Sequence, residues 1–495
     1  LNSANSAPLA SPRAGVRNTL FCVLLYLIAP TVLCVGKDQA SAPGGRTGKT
    51  SGWDRTYAIP VRQQPSTLDL SAETLMEEHE YTVLEGATLF DGQSEIIDDA
   101  VLVFKGPRIH AVGRRTEVDI PGQAVHFDLT GQFIIPGLID AHIHLDLHGL
   151  PDTYHESLIE DKLRTIRAAI EMGNTVRAGI TTVRNAGSTN FIDIAVRKAV
   201  EEGLVVGPRI LASGKIICMM TAGNEYFKGL YHEADGVDEN RKAAREQLKE
   251  GADYLKVMAT GAIMNPGGVP GAPHLNVEEI RAVVEEGEKS GKHTAAHAHG
   301  AEGIKNAVRA GVRTIEHGTM ADEEALKMMA DQGIFLTSTL SSNFWMLNAH
   351  TKNGIPQFMF EKAGEVASIR RKNLRRALQM GVQVVMGTDA GTPYNYHGKN
   401  AMELTQYVQE GIMNEKEAII ASTRTAADAI GMLDSLGTLE KGKYADCLVL
   451  NKNPLADITC LQDLEALALI FKEGALIRGK VDVNQWSDST PLGLG

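Results

Sequence analysis

Histidines and one aspartate end several apolar runs in the middle of this 495-residue chain. His142 and His144 close one run, and because residues two apart on a strand face the same side, both imidazoles can reach one metal ion. Such a His-x-His pair is weak evidence alone, since it also arises by chance. His297, His317 and Asp389 end three further runs. Each could be a hydrogen-bonded core residue, but together they offer the imidazole and carboxylate ligands that zinc prefers.

Lys256 lies inside the apolar run Tyr254–Met258, where an unpaired ammonium group is costly to bury. One interpretation is a lysine whose aliphatic chain lets the charge reach solvent. The other is a lysine of lowered pKa that reacts with carbon dioxide to form a carbamate. A carbamate is an anionic oxygen ligand that can bridge two metal ions.

These residues need a scaffold that brings the ends of distant strands together. Between residues 133 and 430, strand-like apolar runs alternate with longer helical patterns, which is typical of βα units and a parallel sheet. The eight predicted strands are FIIPGLIDAHIH, GITTVRN, RILASG, YLKVMA, HTAAHAH, VRTIEHG, FLTSTL and VQVVMGTDAG. Eight repeats predict an α/β fold, a (β/α)8 TIM barrel, with its reacting groups at the carboxyl ends of the strands.

Two flanking segments predict a second, smaller domain. Residues 80–132 and 431–485 contain short alternating runs separated by turn residues, which favour a small β-sandwich built from both ends of the core sequence. Residues 46–79 show no sustained period and are interpreted as a linker or an arm.

The first 45 residues have the pattern of a secretory signal. Arg13 and Arg17 precede the apolar run Thr19–Val35, and Ala40-Ser41-Ala42 follows it. We therefore expect a secreted or periplasmic protein, or a cytoplasmic one if this segment is not native. A permanent membrane anchor is the alternative, but the run is short for a span and Pro30 interrupts it, so no stable span is expected in the mature protein.

Composition narrows the class of partner. The formal charge of −12 disfavours nucleic acid and anionic membranes, which reward lysine and arginine, and so favours a small-molecule or dipeptide substrate. Hydrophobic residues make up 43% of the chain, as in an ordinary globular protein with a sizeable core. Outside the apolar N-terminal run only Cys218, Cys447 and Cys460 remain, and this odd number predicts no disulfide framework.

Six motifs occur in order over about residues 80 to 482: PGLIDAHIHLD, YLKVMATG, AHAHG, IEHG, GTDAG and GTLEKGKYADCLVL. They resemble the amidohydrolase superfamily, and within it the imidazolonepropionase-like and prolidase-like enzymes. The resemblance implies two divalent metal ions, with zinc expected, and assembly into a homo-oligomer. One metal would be held by His142, His144 and Asp389, the other by His297 and His317, with carboxylated Lys256 bridging both.

The resemblance also implies a hydrolytic mechanism. A metal pair lowers the pKa of a shared water from about 16 towards about 7, which supplies a nucleophile at neutral pH. Asp389 is expected to take the proton of that water and return it to the leaving amine. His299 follows His297 by two residues, faces the same side and is expected to donate to the carbonyl oxygen.

Loop residues are the candidates for substrate contacts. Asn224, Tyr226 and His232 follow the third strand, and His397 follows the eighth; aromatic packing on the barrel rim is the alternative for each. Together with the glycine-rich backbone of residues 261–271, they could hold a free carboxylate. The run TTVRNAG has Asn185 where the family often has aspartate, and Gly223-Asn224 stands where Gly-Gly-His is common. These departures concern specificity and not the metals.

The expected reaction is therefore hydrolysis of an amide bond that releases a C-terminal amino acid from a dipeptide or an N-acyl amino acid. A cyclic amide or lactone hydrolase of the imidazolonepropionase type is the alternative. A one-metal deaminase needs no bridging lysine, so Lys256 argues against it. A non-catalytic scaffold is disfavoured because all six ligand positions are filled.

Overall fold

The computed structural model describes residues 79–348 and 354–479, so the signal-like segment 1–45 and almost all of the linker 46–79 lie outside the described residues. Its strands are β1 Tyr81–Phe90, β2 Ile96–Lys105, β3 Arg108–Arg114, β4 Val125–Asp128, β5 Phe133–Pro136, β6 Leu138–Ile143, β7 Ile180–Asn185, β8 Arg209–Ala212, β9 Ile216–Cys218, β10 Tyr231–Glu233, β11 Leu255–Met258, β12 Thr294–Gly300, β13 Thr314–Met320, β14 Phe335–Thr337, β15 Val384–Val385, β16 Cys447–Leu450, β17 Leu467–Lys472 and β18 Ala475–Arg478. Its α-helices are Thr153–Ser157, Asp161–Arg177, Ile192–Glu201, Val237–Glu250, Val277–Lys289, Ala301–Ala310, Glu323–Gln332, Leu340–Asn348, Gln357–Gln379, Met402–Gln409, Glu415–Ala421 and Arg424–Ala429.

The middle of the chain forms two parallel sheets, which confirms the predicted α/β class. One sheet has the strand order β10-β9-β11-β12-β13-β14-β15 and the other the order β6-β7-β8. Backbone hydrogen bonds also join the two sheets, next to β15 and next to β11. Ala141 N donates to Met386 O at 3.0 Å, and Asp253 N donates to Ala212 O at 2.7 Å.

The run predicted as the first barrel strand, residues 133–144, consists of two strands in different sheets. Phe133–Pro136 pairs with β1 and β16, whereas Leu138–Ile143 pairs with β7. The chain changes sheet at Gly137, where a Cβ would lie only 2.3 Å from Thr181 Oγ1. Only glycine allows this close approach, and the unbroken apolar pattern of the sequence conceals the change of sheet.

Strands from both ends of the core sequence meet in one mixed sheet. Its order is β18-β17-β16-β5-β1-β2-β3, with β4 paired to β1, and β5 and β16 are antiparallel neighbours. Its apolar side chains, among them Leu84, Phe104 and Phe471, form a cluster of their own. The joining of the two ends was predicted, whereas the division of these strands into two packed sandwich layers remains a prediction.

A side-chain cap fixes the start of some of the helices. Asn276 begins the helix Val277–Lys289 with a capping box, in which its side chain accepts from Glu279 N at 3.0 Å and Glu279 Oε2 accepts from Asn276 N at 2.8 Å. Strands β9 and β10 were not predicted, since the third predicted run, RILASG, ends at Gly214, before β9 begins. Within the described residues, no helix is long and apolar enough to cross a membrane.

We predict that Gly387→Ala disturbs the first metal ligand. A Cβ at residue 387 would lie 2.5 Å from Thr337 Cγ2 and 2.7 Å from His142 Cβ, so the neighbouring strand must shift. Such overpacking costs about 1–3 kcal/mol, and both the melting temperature and the metal content should fall. Gly364→Ala is the matched control, because nothing lies within 4 Å of its Cβ position. Equal melting temperature and metal content in the two variants would contradict the prediction.

Candidate metal centre

Two clusters of potential metal ligands lie at the carboxyl ends of the parallel strands. In the described residues, His142, His144 and Asp389 form one cluster, and His297, His299 and His317 form the other. Within each cluster one ligand atom per residue lies within 4.8 Å of the others. Asp389 Oδ1 is 3.5 Å from Nε2 of both His142 and His144. The structure thus brings together the five predicted histidine and aspartate ligands, and adds His299 to the second cluster.

Both clusters face one cavity, which we call the active-site cavity. Lys256 lines it too, with a side chain only 1% exposed. Burial lowers the pKa of Lys256 to about 8, although the negative charges of Glu316 and Asp389 oppose this. Its Nζ donates to Ala186 O at 3.4 Å. Burial therefore favours the neutral amine, which is the form that reacts with carbon dioxide.

Glu316 is buried next to His142 and was not among the predicted site residues. Its Oε2 accepts a hydrogen bond from His142 Nδ1 at 2.6 Å, and its Oε1 accepts one from Arg184 Nη2 at 2.7 Å. Thr314 Oγ1 adds a third at 2.5 Å. Burial alone would raise the pKa of Glu316, but the charge of Arg184 and the contact with His142 hold it well below its ordinary value.

Hydrogen bonds at Nδ1 set the orientation of the imidazoles. The Glu316 carboxylate and the Gly187 carbonyl can only accept, so His142 and His144 carry a proton on Nδ1. Nδ1 of His299 contacts Thr319 Oγ1 at 2.8 Å, and Nδ1 of His317 contacts Thr339 Oγ1 at 2.7 Å. Partners of this kind fix the ring and the tautomer of a metal-binding histidine.

Burial keeps most of these imidazoles neutral. It lowers the pKa of His144 to about 4 and that of His299 to about 3, and it holds the pKa of His297 and His317 well below the ordinary value. Burial raises the pKa of Asp389, but His142 and His144 outweigh it and bring the value to about 2. Neutral imidazoles and an ionised carboxylate are the protonation states that bind a divalent cation.

The backbone is strained at two of these residues. His317 has φ of +72° and Asp389 has φ of +60°, in the left-handed region that residues other than glycine rarely adopt. Each such conformation costs on the order of 1–3 kcal/mol and persists only where the surroundings enforce it. Strain at two residues that line one cavity indicates a functional site.

The residues present fit a metal pair. Nε2 of His297 is buried and has no hydrogen-bond partner among the described residues. A buried polar atom of this kind needs a ligand, and the two clusters supply five imidazoles and one carboxylate around it. This donor set suits zinc or a similar divalent ion.

The four loop residues predicted to contact substrate do not line the active-site cavity. Asn224 Nδ2 donates to Glu233 Oε1 at 2.8 Å, and Tyr226 OH donates to Asp152 Oδ1 at 2.8 Å. His232 lies on β10, with Nε2 3.4 Å from Glu246 Oε2. His397 is buried against the Leu147 carbonyl, at 2.9 Å from its Nε2. Each of the four residues thus has a polar group that contacts another part of the protein, and substrate contact by them remains a prediction.

Other side chains take their place in the cavity wall. Those with polar groups are Tyr231, Ser342, Asn343, Arg370 and Thr392, and the apolar ones include Ile216, Phe227, Leu230, Met258, Ile263, Met264 and Met346. Arg370 was missed because it lies in the basic helix Gln357–Gln379, whose composition resembles that of a solvated surface helix. A single sequence holds no signal that this arginine is buried.

Comparison with known proteins identifies the family. A model of the amidohydrolase family matches residues 133–477, which is more than half of the chain. The chain belongs to the amidohydrolase family. Ochratoxinase of Aspergillus niger is 30% identical over 463 residues, covering 86% of this chain and 94% of the fungal enzyme.

Solved structures of prolidase-like members are similar in fold. A prolidase complexed with N-methylphosphonate-L-proline superimposes with a TM-score of 0.75 at 30% identity, covering 81% of this chain and 100% of that one. A Xaa-Pro dipeptidase with methionine bound in its active site gives a TM-score of 0.74 at 30% identity, covering 80% of this chain and 99% of that one.

A more distant sequence relative is imidazolonepropionase of Symbiobacterium thermophilum, which is 23% identical over 427 residues, covering 78% of this chain and 92% of that enzyme. The predicted resemblance is confirmed, and this amidohydrolase is a hydrolase of amide bonds.

We predict that Glu316→Gln weakens metal binding by about 10- to 100-fold, as loss of an orienting partner usually does, measured by titration with zinc. It should also destabilise the protein by about 3–5 kcal/mol, because Arg184 would stay buried without its carboxylate. Glu324→Gln, at an exposed surface residue, is the control.

The same substitution should change the pH dependence of stability in metal-free protein. The folded-state pKa of Glu316 lies below its unfolded value, so its contribution is complete above the unfolded value of about 4.3 and is lost as the pH falls through the folded value. Melting temperatures of the wild type should therefore fall more steeply in acid than those of Glu316→Gln. Parallel curves for the two proteins would refute this role of Glu316.

Proposed function

We propose that this amidohydrolase is a binuclear metallohydrolase that cleaves an amide bond and releases a C-terminal amino acid from a dipeptide or an N-acyl amino acid. The observation that carries the proposal is the pair of ligand clusters facing one cavity with Lys256 in its wall. Similarity to a prolidase, a Xaa-Pro dipeptidase and ochratoxinase, each about 30% identical, supports this substrate class.

The proposed scaffold is a closed (β/α)8 barrel. It is supported by the backbone hydrogen bonds that join the two parallel sheets in two places, from Ala141 to Met386 and from Asp253 to Ala212. Near the bond between Ala141 and Met386, a second backbone hydrogen bond runs from His144 N to Ala390 O at 2.8 Å. In such a barrel all ligands lie at one mouth, as parallel strand ends require.

The proposed metal pair consists of two divalent ions, expected to be zinc, with a carbamate on Lys256 between them. His142, His144 and Asp389 would hold one ion, and His297 and His317 the other. When bound, such a pair polarises the substrate carbonyl and activates a water as nucleophile at neutral pH. The low pKa of Lys256 supports the carbamate, because only the neutral amine reacts with carbon dioxide.

Asp389 and His299 have the proposed catalytic roles. The ionised carboxylate of Asp389 accepts the proton of the attacking water and returns it to the leaving nitrogen. His299 is buried, lies in the cavity wall and is oriented by Thr319, so its other ring nitrogen can face the carbonyl oxygen of the substrate.

The cavity wall favours a substrate with an apolar group. Three methionines, Met258, Met264 and Met346, line it together with Phe227 and aliphatic side chains. Methionine side chains adapt to the shape of apolar ligands, and burial of such a group contributes about 25 cal/mol per Å². We therefore expect an apolar acyl group or side chain on the substrate.

We predict two metal ions per chain by elemental analysis and a carbamate on Lys256. Lys256→Met should bind less metal and lose most activity, and short carboxylic acids should restore part of it by supplying the missing oxygen ligand. Lys327→Met, which removes an exposed lysine paired with Asp331, is the matched control. Full activity with one metal per chain would refute the binuclear centre.

A second prediction concerns Asp389→Asn. The variant should keep its metal yet lose about 10²- to 10⁴-fold in kcat, because an amide cannot accept and return the proton. Elemental analysis and steady-state kinetics on the same preparation separate the two effects. Turnover close to that of the wild type would assign the proton transfer to another group.

The substrate class is tested by comparing each N-acyl amino acid with its C-terminal amide and with a simple lactone. We expect the free acid to react best, because a site that binds a carboxylate penalises substrates without one. An apolar acyl group should raise kcat/KM further. If lactones or amidated substrates react as well as the free acids, release of a C-terminal amino acid is the wrong reaction. That result would favour the alternative function, hydrolysis of a cyclic amide or lactone.

A further inference from the structure

Arg370 is a buried arginine in the wall of the active-site cavity. It lies in the helix Gln357–Gln379, and the residue is 4% exposed. Its Nη1 donates to Asn343 Oδ1 at 3.2 Å, and its Nη2 donates to Thr339 Oγ1 and lies 3.3 Å from His317 Nδ1. All of these protein contacts are to neutral groups.

The charge of Arg370 has no close counter-ion in the part of the chain that the structure describes. The other two buried arginines there, Arg164 and Arg184, each have a carboxylate oxygen at 2.7 Å. No ion pair within 4.0 Å involves Arg370, and its Nε is buried without a hydrogen-bond partner. Burying an uncompensated cation is expensive, so a site that retains one favours an anionic ligand.

The nearest buried carboxylates already interact with other groups. Glu403 accepts hydrogen bonds from Ser338 Oγ at 2.6 Å and from Ser341 N at 2.7 Å, and Asp389 belongs to the first ligand cluster. These carboxylates therefore do not satisfy Nε of Arg370, a side chain that lines the cavity, and this Nε is buried without a hydrogen-bond partner among the described residues. Nε and one Nη group together can form the two parallel hydrogen bonds that suit a carboxylate.

The distance from the metal ligands suits the C-terminal carboxylate of a substrate. The guanidinium lies 3.3 Å from Nδ1 of His317, which is a member of the second cluster. In an N-acyl amino acid, one residue separates the scissile carbonyl from the carboxylate, and a residue spans at most about 3.6 Å. A carboxylate-binding group must therefore lie close to the metal centre, as Arg370 does.

We propose that Arg370 is the specificity-determining residue that binds the carboxylate of the released amino acid. This inference rests on the proposed function and identifies the group that recognises its substrate. The competing role is structural, in which Arg370 only holds Thr339 and His317 in place. The two roles differ in their effect on substrates that lack a carboxylate.

The test compares Arg370→Met and Arg370→Lys with the wild type on an N-acyl amino acid and on its C-terminal amide. Arg370→Met should lose about 10- to 100-fold in kcat/KM on the acid, which corresponds to one charged hydrogen bond. Its kcat/KM on the amide should change less than about threefold, so the preference for the acid disappears. Arg370→Lys keeps the charge but lacks the planar guanidinium, so its kcat/KM on the acid should lie between those of the wild type and Arg370→Met.

Two controls separate binding from structure. Arg371→Met removes the neighbouring arginine, which pairs with Glu410 away from the cavity and should leave the preference intact. Metal content is measured in every variant. In Arg370→Ala, added guanidinium ion should restore activity on the acid and not on the amide, an effect that a structural role does not produce.

The outcomes distinguish a failure of the role assigned to Arg370 from a failure of the proposed substrate class. Equal losses on acid and amide, with loss of metal, show that Arg370 is structural and overturn its assignment alone. An unchanged preference for the acid in Arg370→Met also overturns only this assignment. If the wild-type enzyme shows no preference for the acid, the proposed substrate class fails, and the carboxylate role of Arg370 fails with it.

Discussion

The buried contact between Glu316 and Arg184 supports the rest of the site. Glu316 carries a charge in the centre of the parallel strands, and Arg184 compensates it at 2.7 Å. Through its other oxygen Glu316 orients His142, while Nε of Arg184 donates to the Ala141 carbonyl at 2.7 Å. Three strands, β6, β7 and β13, are thereby connected through one carboxylate. Neither charge can be removed singly without leaving the other uncompensated in the interior.

A second buried carboxylate holds the junction between the first and last parallel strands. Asp140 accepts from the backbone of His142 and Thr388 at 3.1 Å each, and from Asn400 Nδ2 at 2.7 Å. Burial raises the pKa of Asp140 to about 6, so these donors offset only part of the cost of burying its charge. Asp140 accepts from the backbone of His142, and Glu316 accepts from its ring. The backbone and the ring of His142, a predicted metal ligand, are therefore held by separate carboxylates.

Much of the site was predictable because the sequence places the ligands in a regular position. His142, His297 and Asp389 each end an apolar run, and the ends of parallel strands must meet at one edge whatever the details of the loops. No comparable rule predicts which loop side chains reach the cavity. Asn224 and Tyr226 follow a strand as expected, yet their side chains bond within their own loops and neighbouring segments. Arg370 reaches the cavity from a helix, and nothing local in the sequence marks it as buried.

The two halves of the mixed sheet are far apart in the chain. In the pairing of β5 with β16, Pro136 is the partner of Cys447, about 310 residues away. Contacts of such separation are slow to form, because a long loop must close before they stabilise anything. During synthesis the parallel strands and their helices can pair locally, whereas the mixed sheet must wait until residues beyond 447 have left the ribosome. Until then β5 has an unpaired edge, and the nascent chain is exposed to pairing with other chains at that strand.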